Sequence, residues 1–177
     1  MKVISHVYDY VDELGVILYQ QVRYLPKEFK ARRPDPIYPS QYIGKLRNPD
    51  GSYAVRLVLY RLNEVIANKT VHIVEGEKDA DTLHKHGLCG TTNAFGAESW
   101  RDEFNPYFQR KRVFIIPDND KAGWKRAVRI AAGVAPFASE LSVLALPAEV
   151  KDITEWFEQG HSADALSEIT ERRCGND

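Results

Sequence analysis

Acidic residues follow two apolar segments in the second half of the chain, where a site for phosphate chemistry would lie. Glu75 comes directly after residues 71–74, and Asp118 and Asp120 come shortly after residues 112–116. In an open parallel sheet, ligands bind beyond the carboxyl ends of the strands, where the strand order reverses. If the two segments are neighbouring strands, about 4.8 Å apart, their terminal carboxylates converge. The spacing therefore predicts a shared acidic site.

The residue types of this site indicate a hard cation. In an extended segment residues two apart point the same way, which aims Asp118 and Asp120 together and Asn119 elsewhere. Three carboxylates without histidine or cysteine favour Mg²⁺ or Mn²⁺ over zinc. Each acid also has a structural interpretation as a loop residue or helix cap, and Asp120 before Lys121 is a good N-cap. Capping does not require the three together, so we favour the metal interpretation.

The region that positions these acids, residues 68–177, is predicted to be α/β. Short apolar strands are expected at 71–74, 88–92, 112–116 and 141–146. Helices are expected at 77–86, 100–108, 122–135, 152–159 and 163–173. Alternating strands and helices predict a parallel sheet flanked by helices.

Residues 1–67 are predicted to form a small β-rich, basic subdomain. Strands are expected at 6–11 and 16–23 around a hairpin turn at 12–15, with a third at 53–59. Residues 26–34, bounded by prolines, are interpreted as an exposed loop or short helix. The formal charge is +3 over residues 1–66 and −4 over the remainder. This asymmetry fits a nucleic-acid-facing surface beside a carboxylate site, although a solvated basic loop is the simpler interpretation.

Composition excludes several classes of protein. The 177 residues are 44% hydrophobic and 28% charged, which is typical of a soluble globular protein and excludes disorder and membrane insertion. The first residues lack the apolar core of a signal peptide, so a cytoplasmic location is expected. Cys89 and Cys174 alone cannot form a disulfide framework or a four-cysteine zinc ribbon. His84, His86 and Cys89 are close in sequence but lack a fourth ligand, so zinc is not expected.

Two motifs resemble the TOPRIM domain shared by topoisomerases and primases, and most closely its version in phage and plasmid primase-helicases. They are VHIVEGEKDA at residues 71–80 and FIIPDNDKAG at residues 114–123. The resemblance covers residues 69–160 and includes the segments 91–97 and 151–156. It implies a TOPRIM-like, Rossmann-type sheet. Residues 23–29 are similar to the segment that precedes this domain in such primases.

The resemblance also implies roles for individual acids. Glu75 would assist proton transfer or bind metal, and Asp118 and Asp120 would be metal ligands. Asp79, one helical turn beyond Glu75, would support the site or a second ion. Asp152 corresponds to a further acidic metal-binding position.

The function expected from these features is primase-type nucleotidyl transfer that requires Mg²⁺ or Mn²⁺. Single-stranded DNA template and ribonucleoside triphosphates would be the partners, without a membrane. Six basic residues would bind the nucleic acid or nucleotide, with solvation as the alternative for each: Arg23, Lys27, Lys30, Arg32, Arg33 and Lys78. The remaining hypotheses are a stand-alone, metal-dependent TOPRIM nuclease and a non-catalytic module that binds a replication partner.

Two expected companions of a primase have no motif in the sequence. The chain lacks the cysteines of a zinc ribbon and the Gly-rich loop of a helicase motor. We therefore expect a fragment, a stand-alone relative, or a subunit that obtains template recognition from a helicase or a zinc-ribbon protein in trans.

Overall fold

The computed structural model describes residues 2–166 and 168. The chain divides into two compact units, of which the first ends at Asn63 and the second begins at Glu64.

The first unit contains a four-stranded antiparallel sheet. Its strands lie in the order β1 (Val3–Val11), β2 (Ile17–Leu25), β3 (Glu28–Pro34) and β4 (Tyr42–Ile43). The predicted hairpin is confirmed, since β1 pairs with β2. Tyr10 and Tyr19 stack at 4.5 Å between ring centroids and are fully buried. The β-branched and aromatic residues of β1 and β2 thus provide the core that orders this sheet.

Two sequence predictions for the first unit are wrong. Residues 26–34 are not a loop or short helix, because β3 pairs with β2 over five positions. The long aliphatic stems of lysine and arginine can cover an exposed sheet surface, which explains why so basic a segment forms a strand. Residues 53–59 form no strand and contain only isolated bridge residues, at Tyr53, which pairs with Arg47, and at Leu59. The consecutive residues Val58, Leu59 and Tyr60 are all buried, whereas a strand with one buried side would bury alternate residues.

The second unit alternates strands and helices as predicted. After α1 (Leu62–Ala67), which the sequence analysis missed, come β5 (Thr70–Ile73), α2 (Glu77–Lys85) and β6 (Gly90–Thr91). Short 3₁₀ helices at Ala97–Ser99 and Asp102–Phe108 precede β7 (Arg112–Ile115) and α3 (Lys121–Val134). The described elements end with β8 (Glu140–Val143) and α4 (Ile153–Glu158). Residues 163–166 are helical, and most of the predicted helix 163–173 lies outside the described residues.

The strands of the second unit form one parallel sheet in the order β6-β5-β7-β8. Val71, Ile73, Val113 and Ile115 face one side of the sheet and His72 and Phe114 face the other, and all six are buried, which is typical of strands covered on both faces. The fold class is therefore a parallel α/β sheet with flanking helices, preceded by an antiparallel sheet, as expected. The strand order reverses at β5, which places the predicted crevice between β5 and β7.

None of the helices in the described part of the chain is both long and apolar enough to cross a membrane.

Candidate functional site

The two acidic segments lie at the same edge of the parallel sheet. Ile73 is in register with Ile115 at the carboxyl ends of β5 and β7. The Ile116 amide donates to the Ile73 carbonyl at 2.9 Å, which extends the pairing towards Glu75 and Asp118. The two strands are therefore neighbours, which is the condition under which the sequence predicts that their terminal carboxylates converge. Glu75, Asp79, Asp118, Asp120 and Asp152, which we call the acidic cluster, surround this edge.

Glu75 is half-buried at the start of the crevice. Burial raises the pKa of its carboxyl, the nearby Arg126 guanidinium lowers it, and the negative charge of Asp120 raises it again. Its Oε1 is buried without a hydrogen-bond partner. A buried carboxylate oxygen without a donor is a position that a cation or a proton would satisfy.

Burial and the neighbouring negative charges suppress the ionisation of the Asp118 carboxyl. Burial is the main cause that raises its pKa from 3.8 to about 7, followed by the charges of Glu75, Asp79 and Asp152. Lys151 opposes the shift. Carboxyls whose ionisation is suppressed by one another are typical of a site that becomes ionised when a cation binds.

Asp120 begins α3 and also faces the cluster. Its Oδ1 accepts a 2.7 Å hydrogen bond from the Gly123 amide, which is N-cap geometry. Gly123 is buried against the cluster, and a Cβ at this position would overlap Oε1 of Glu75 and the Asp118 backbone. Asp120 therefore serves as the predicted cap while its charge acts on Glu75.

Asp79 connects α2 to α4. The Thr154 hydroxyl donates a 2.6 Å hydrogen bond to Asp79 Oδ1 and lies 3.1 Å from the Thr82 hydroxyl. Burial raises the pKa of Asp79, the Thr154 hydrogen bond lowers it, and the charge of Asp152 raises it. The sequence analysis missed Thr154, because nothing in its local sequence indicates a partner 75 positions away.

Asp152 caps α4 in the way that Asp120 caps α3. Its Oδ1 accepts a 2.8 Å hydrogen bond from the Glu155 amide, and Lys151 Nζ lies 3.5 Å from Oδ2. Asp152 is the main cause that raises the pKa of Lys151, and Asp118 contributes. The start of α4 therefore positions Asp152 beside the other acids of the cluster.

Asn119 points away from the two aspartates that flank it, as expected, and into the segment before α4. Its carboxamide nitrogen lies 2.8 Å from the Pro147 carbonyl oxygen, 2.9 Å from that of Val150 and 3.3 Å from that of Leu146. Its backbone amide donates to the Lys151 carbonyl at 2.7 Å. Asn119 therefore anchors the segment that delivers Asp152, a role that the sequence analysis did not assign.

Arg126 is a second residue that the sequence analysis missed. It is 5% exposed on α3, and its guanidinium donates to Asn93 Oδ1 at 2.9 Å and to Thr92 Oγ1 at 3.3 Å. The Thr92 hydroxyl in turn donates to the Glu75 carbonyl at 3.0 Å. The sequence does contain a signal for this residue, because Arg126 is a charged residue on the apolar side of α3 that carries Ile130.

The acidic cluster does not form a complete protein cage for a cation in the described part of the chain. Among residues 2–166 and 168, no three or more His, Cys, Asp or Glu side chains form a preformed metal-binding group. Mg²⁺ keeps several of its waters and uses one or two carboxylates together with substrate phosphates. The unpartnered Glu75 Oε1 and the suppressed ionisation of Asp118 fit such a partly hydrated ion.

The six predicted basic residues do not form one group. The register of β2 and β3 puts Lys30 and Arg32 on one side of the sheet. Arg23 and Arg33 lie on the opposite side, and Lys27 lies in the turn between the strands. On α2, Lys78 is exposed, with its Nζ 3.8 Å from the Glu158 carboxylate.

Comparison with solved structures identifies the architecture. A chain in the structure of bacteriophage T7 lagging-strand DNA polymerase with primase domains bound to an RNA/DNA hybrid and dTTP has 26% sequence identity and a TM-score of 0.65. The match covers 92% of this chain and 75% of that chain. The primase fragment of the T7 primase-helicase has 23% identity and a TM-score of 0.59, over 92% of this chain and 60% of that chain. The chain has the fold of DNA primase catalytic domains.

Cellular primases share this architecture at lower identity. The DnaG primase catalytic domain bound to single-stranded DNA has 17% identity and a TM-score of 0.57, over 94% of this chain and 50% of that chain. The chain therefore spans between half and three quarters of these primase chains. No protein-family model and no curated protein sequence matches it.

Proposed function

We propose that this chain is a primase-type TOPRIM catalytic domain that joins ribonucleotides on a single-stranded DNA template. The observation that carries the proposal is the acidic cluster at the crevice between β5 and β7, in a fold shared with primase catalytic domains. The setting we propose is phage- or plasmid-like DNA replication. A helicase or a zinc-ribbon protein would assist in trans.

Mg²⁺ or Mn²⁺, when bound, would neutralise phosphate charge and lower the pKa of the attacking hydroxyl. Asp118 and Asp120, on either side of the bend at Asn119, would hold the cation, with Asp79 and Asp152 available for a second ion. Glu75 would act as the general base that accepts the proton of the attacking hydroxyl, since its carboxyl has a raised pKa. Asn119 and Thr154 would keep Asp152 and Asp79 in place through the hydrogen bonds described above.

The test is primer synthesis on labelled single-stranded DNA with ribonucleoside triphosphates and Mg²⁺ or Mn²⁺, with and without a candidate helicase. We expect primers from the unaltered chain and none from Asp118→Ala. Asp102→Asn, which removes an exposed charge on a 3₁₀ helix, is the control that should keep activity. If no primers form with or without the helicase, the proposal is wrong.

The same assay separates nucleotidyl transfer from hydrolysis. A cation in the acidic cluster could equally activate water, in which case the labelled strand would be shortened rather than extended. Calorimetry that detects no binding of Mg²⁺ or Mn²⁺ would favour a module that binds a replication partner without catalysis.

A further inference from the structure

One side of the first unit's antiparallel sheet carries a pocket of about 360 Å³. Cross-strand pairing places Val22 beside Lys30, and Tyr24 lies two positions further along the same side. Arg32 of β3 and Tyr42 of β4 also line the pocket. We call this side of the sheet the pocket face. Its volume lies within the range of pockets that hold small ligands.

The pocket combines two positive charges with two phenol rings. The Arg32 guanidinium lies 4.4 Å from the centroid of the Tyr42 ring, and Lys30 Nζ lies 5.8 Å from that of Tyr24. Val22, which is 1% exposed, lies at its base. A wholly apolar ligand would leave these charges without water, and a metal cation would be repelled by them. The lining therefore suits a flat ring that carries an anionic group.

A hydrogen-bonded chain fixes the orientation of Arg32. Arg32 Nε donates to Gln20 Oε1 at 2.7 Å, and Gln20 Nε2 donates to Asp9 Oδ1 at 2.6 Å. Gln20 is only 6% exposed, so this chain is held within the sheet. A guanidinium whose Nε is already bonded presents its remaining N–H groups in a fixed direction, which lowers the entropy lost when an anion binds.

Glu28, a carboxylate on the pocket face, does not neutralise the pocket. Glu28 makes a 2.6 Å ion pair with Lys2 and lies 3.9 Å from Lys30 Nζ, so Lys2 is its main partner. The Lys2 hydrogen bond is also the first cause that lowers the pKa of Glu28. Lys30 is thus only weakly paired and can meet an incoming phosphate.

We propose that the pocket face binds one nucleotide, with the base against Tyr42 or Tyr24 and the phosphate at Lys30 and Arg32. Base stacking on aromatic rings combined with basic contacts to the backbone is how proteins bind nucleotides without reading sequence. This inference rests on the proposed function for its ligand class, but it assigns a site apart from the acidic cluster. It also separates Lys30 and Arg32 from Arg23 and Arg33, on the opposite side of the sheet.

The first unit offers a matched control. Arg47 lies 4.1 Å from the ring centroid of Tyr53, which is nearly the spacing of Arg32 over Tyr42, but Arg47 and Tyr53 are not in the pocket lining. Arg32→Ala and Arg47→Ala therefore remove the same charge and the same kind of ring contact. Only Arg32→Ala changes the pocket.

Binding is measured with two probes, ATP and a short labelled oligothymidine, in EDTA and on an Asp118→Asn background. Catalysis is thereby removed, so a failure of the primase proposal leaves this measurement interpretable. We expect Arg32→Ala, and at least one of Tyr42→Ala and Tyr24→Ala, to weaken binding by about tenfold or more, and Tyr42→Phe and Arg47→Ala to weaken it by less than about threefold. Circular dichroism verifies that each variant is folded.

The outcomes decide both the site and the source of the nucleotide. If the pocket substitutions weaken the binding of ATP alone, the ligand of the pocket is a free nucleotide. If they weaken the binding of the oligonucleotide, the ligand is a nucleic-acid strand. If Arg32→Ala weakens binding but Tyr42→Ala and Tyr24→Ala do not, the pocket binds phosphate only and the base assignment is wrong. If Arg32→Ala binds like Arg47→Ala, the pocket face is not a nucleotide site.

Discussion

Gly123 lies so close to Glu75 that a methyl group at position 123 would overlap the carboxylate Oε1. The same methyl group would meet the Asp118 backbone, which cannot rotate away as a side chain can. The first turn of α3 therefore packs directly on the two acids that end the neighbouring strand segments. Glycine is required here by space, since α3 at this position has ordinary helical backbone.

Gly123→Ala should damage the acidic cluster without removing any charged group. We expect a loss of about 1–3 kcal/mol in the free energy of unfolding and a larger proportional loss of catalytic activity. Urea unfolding and the primer assay measure the two effects. Ala122→Ser, at the exposed neighbouring position on α3, is the control and should change neither. Wild-type stability in Gly123→Ala would mean that the first turn of α3 has room that the structure does not show.

Thr154→Val should weaken the support of Asp79 while keeping the shape of the side chain. Removing a hydrogen bond to a charged group costs about 1.5–3 kcal/mol, and the pKa of Asp79 should rise further because Thr154 lowers it. Thr154→Ser retains the hydroxyl and should stay close to wild type. Urea unfolding and calorimetric Mg²⁺ titration of both variants make the test. Equal effects of valine and serine would assign the role of Thr154 to packing.

Asn119→Asp should be more harmful than Asn119→Ala. Alanine removes the donor that the carbonyls of residues 146, 147 and 150 share, and in the described part of the chain only Pro147 of the three keeps a backbone donor, the Val150 amide. We expect a cost of about 1–3 kcal/mol. Aspartate adds a carboxylate facing those carbonyl oxygens, although it resembles the aspartates on either side. The stability of each variant and its apparent Mg²⁺ affinity should fall in the order wild type, alanine, aspartate. If aspartate is tolerated, Asn119 does not anchor the segment before α4.

The metal-free chain should lose stability as the pH rises through neutrality. The pKa of Asp118 is raised from 3.8 to about 7, so the folded chain holds this proton more tightly than the unfolded chain. The resulting stabilisation is fully present below pH 3.8 and is lost as the pH rises through about 7. Urea unfolding in EDTA at about pH 5 and about pH 8 measures the change, and Asp118→Asn should reduce it.

Mg²⁺ should reverse this pH dependence. The cation binds the ionised carboxyls, so its affinity should increase from about pH 5 to about pH 8 and protons should be released on binding. Calorimetry in two buffers with different ionisation enthalpies measures the released protons. Binding without proton release would show that Asp118 is not part of the metal site.

The sequence was sufficient to predict the α/β unit because its strands are short, apolar and buried on both faces. Residues 112–116 gave a strand at nearly the observed bounds, and the approach of Glu75 to Asp118 followed from the rule for strand ends. The helix cap at Asp120 and the spacing of Asp79 from Glu75 are local features, which a sequence displays directly.

Contacts between distant segments were beyond sequence reasoning. Asn119 reaches residues about thirty positions later, and Thr154 reaches back to Asp79. In the first unit, β3 was missed because basic residues between prolines resemble a loop, and its pairing with β2 is decided by cross-strand contacts. The division of the basic residues between two sides of the sheet depends on that pairing and was equally hidden.

Asp120 and Asp152 each use one carboxylate oxygen to start a helix while their negative charge acts on neighbours in the cluster. Asparagine accepts the same amide hydrogen bond but carries no charge, so it separates helix initiation from electrostatics at either position. Glutamate would do the reverse, because it keeps the charge and is a poorer cap. At these two positions asparagine is therefore the substitution that preserves the start of the helix, and glutamate, although it keeps the charge, disturbs it.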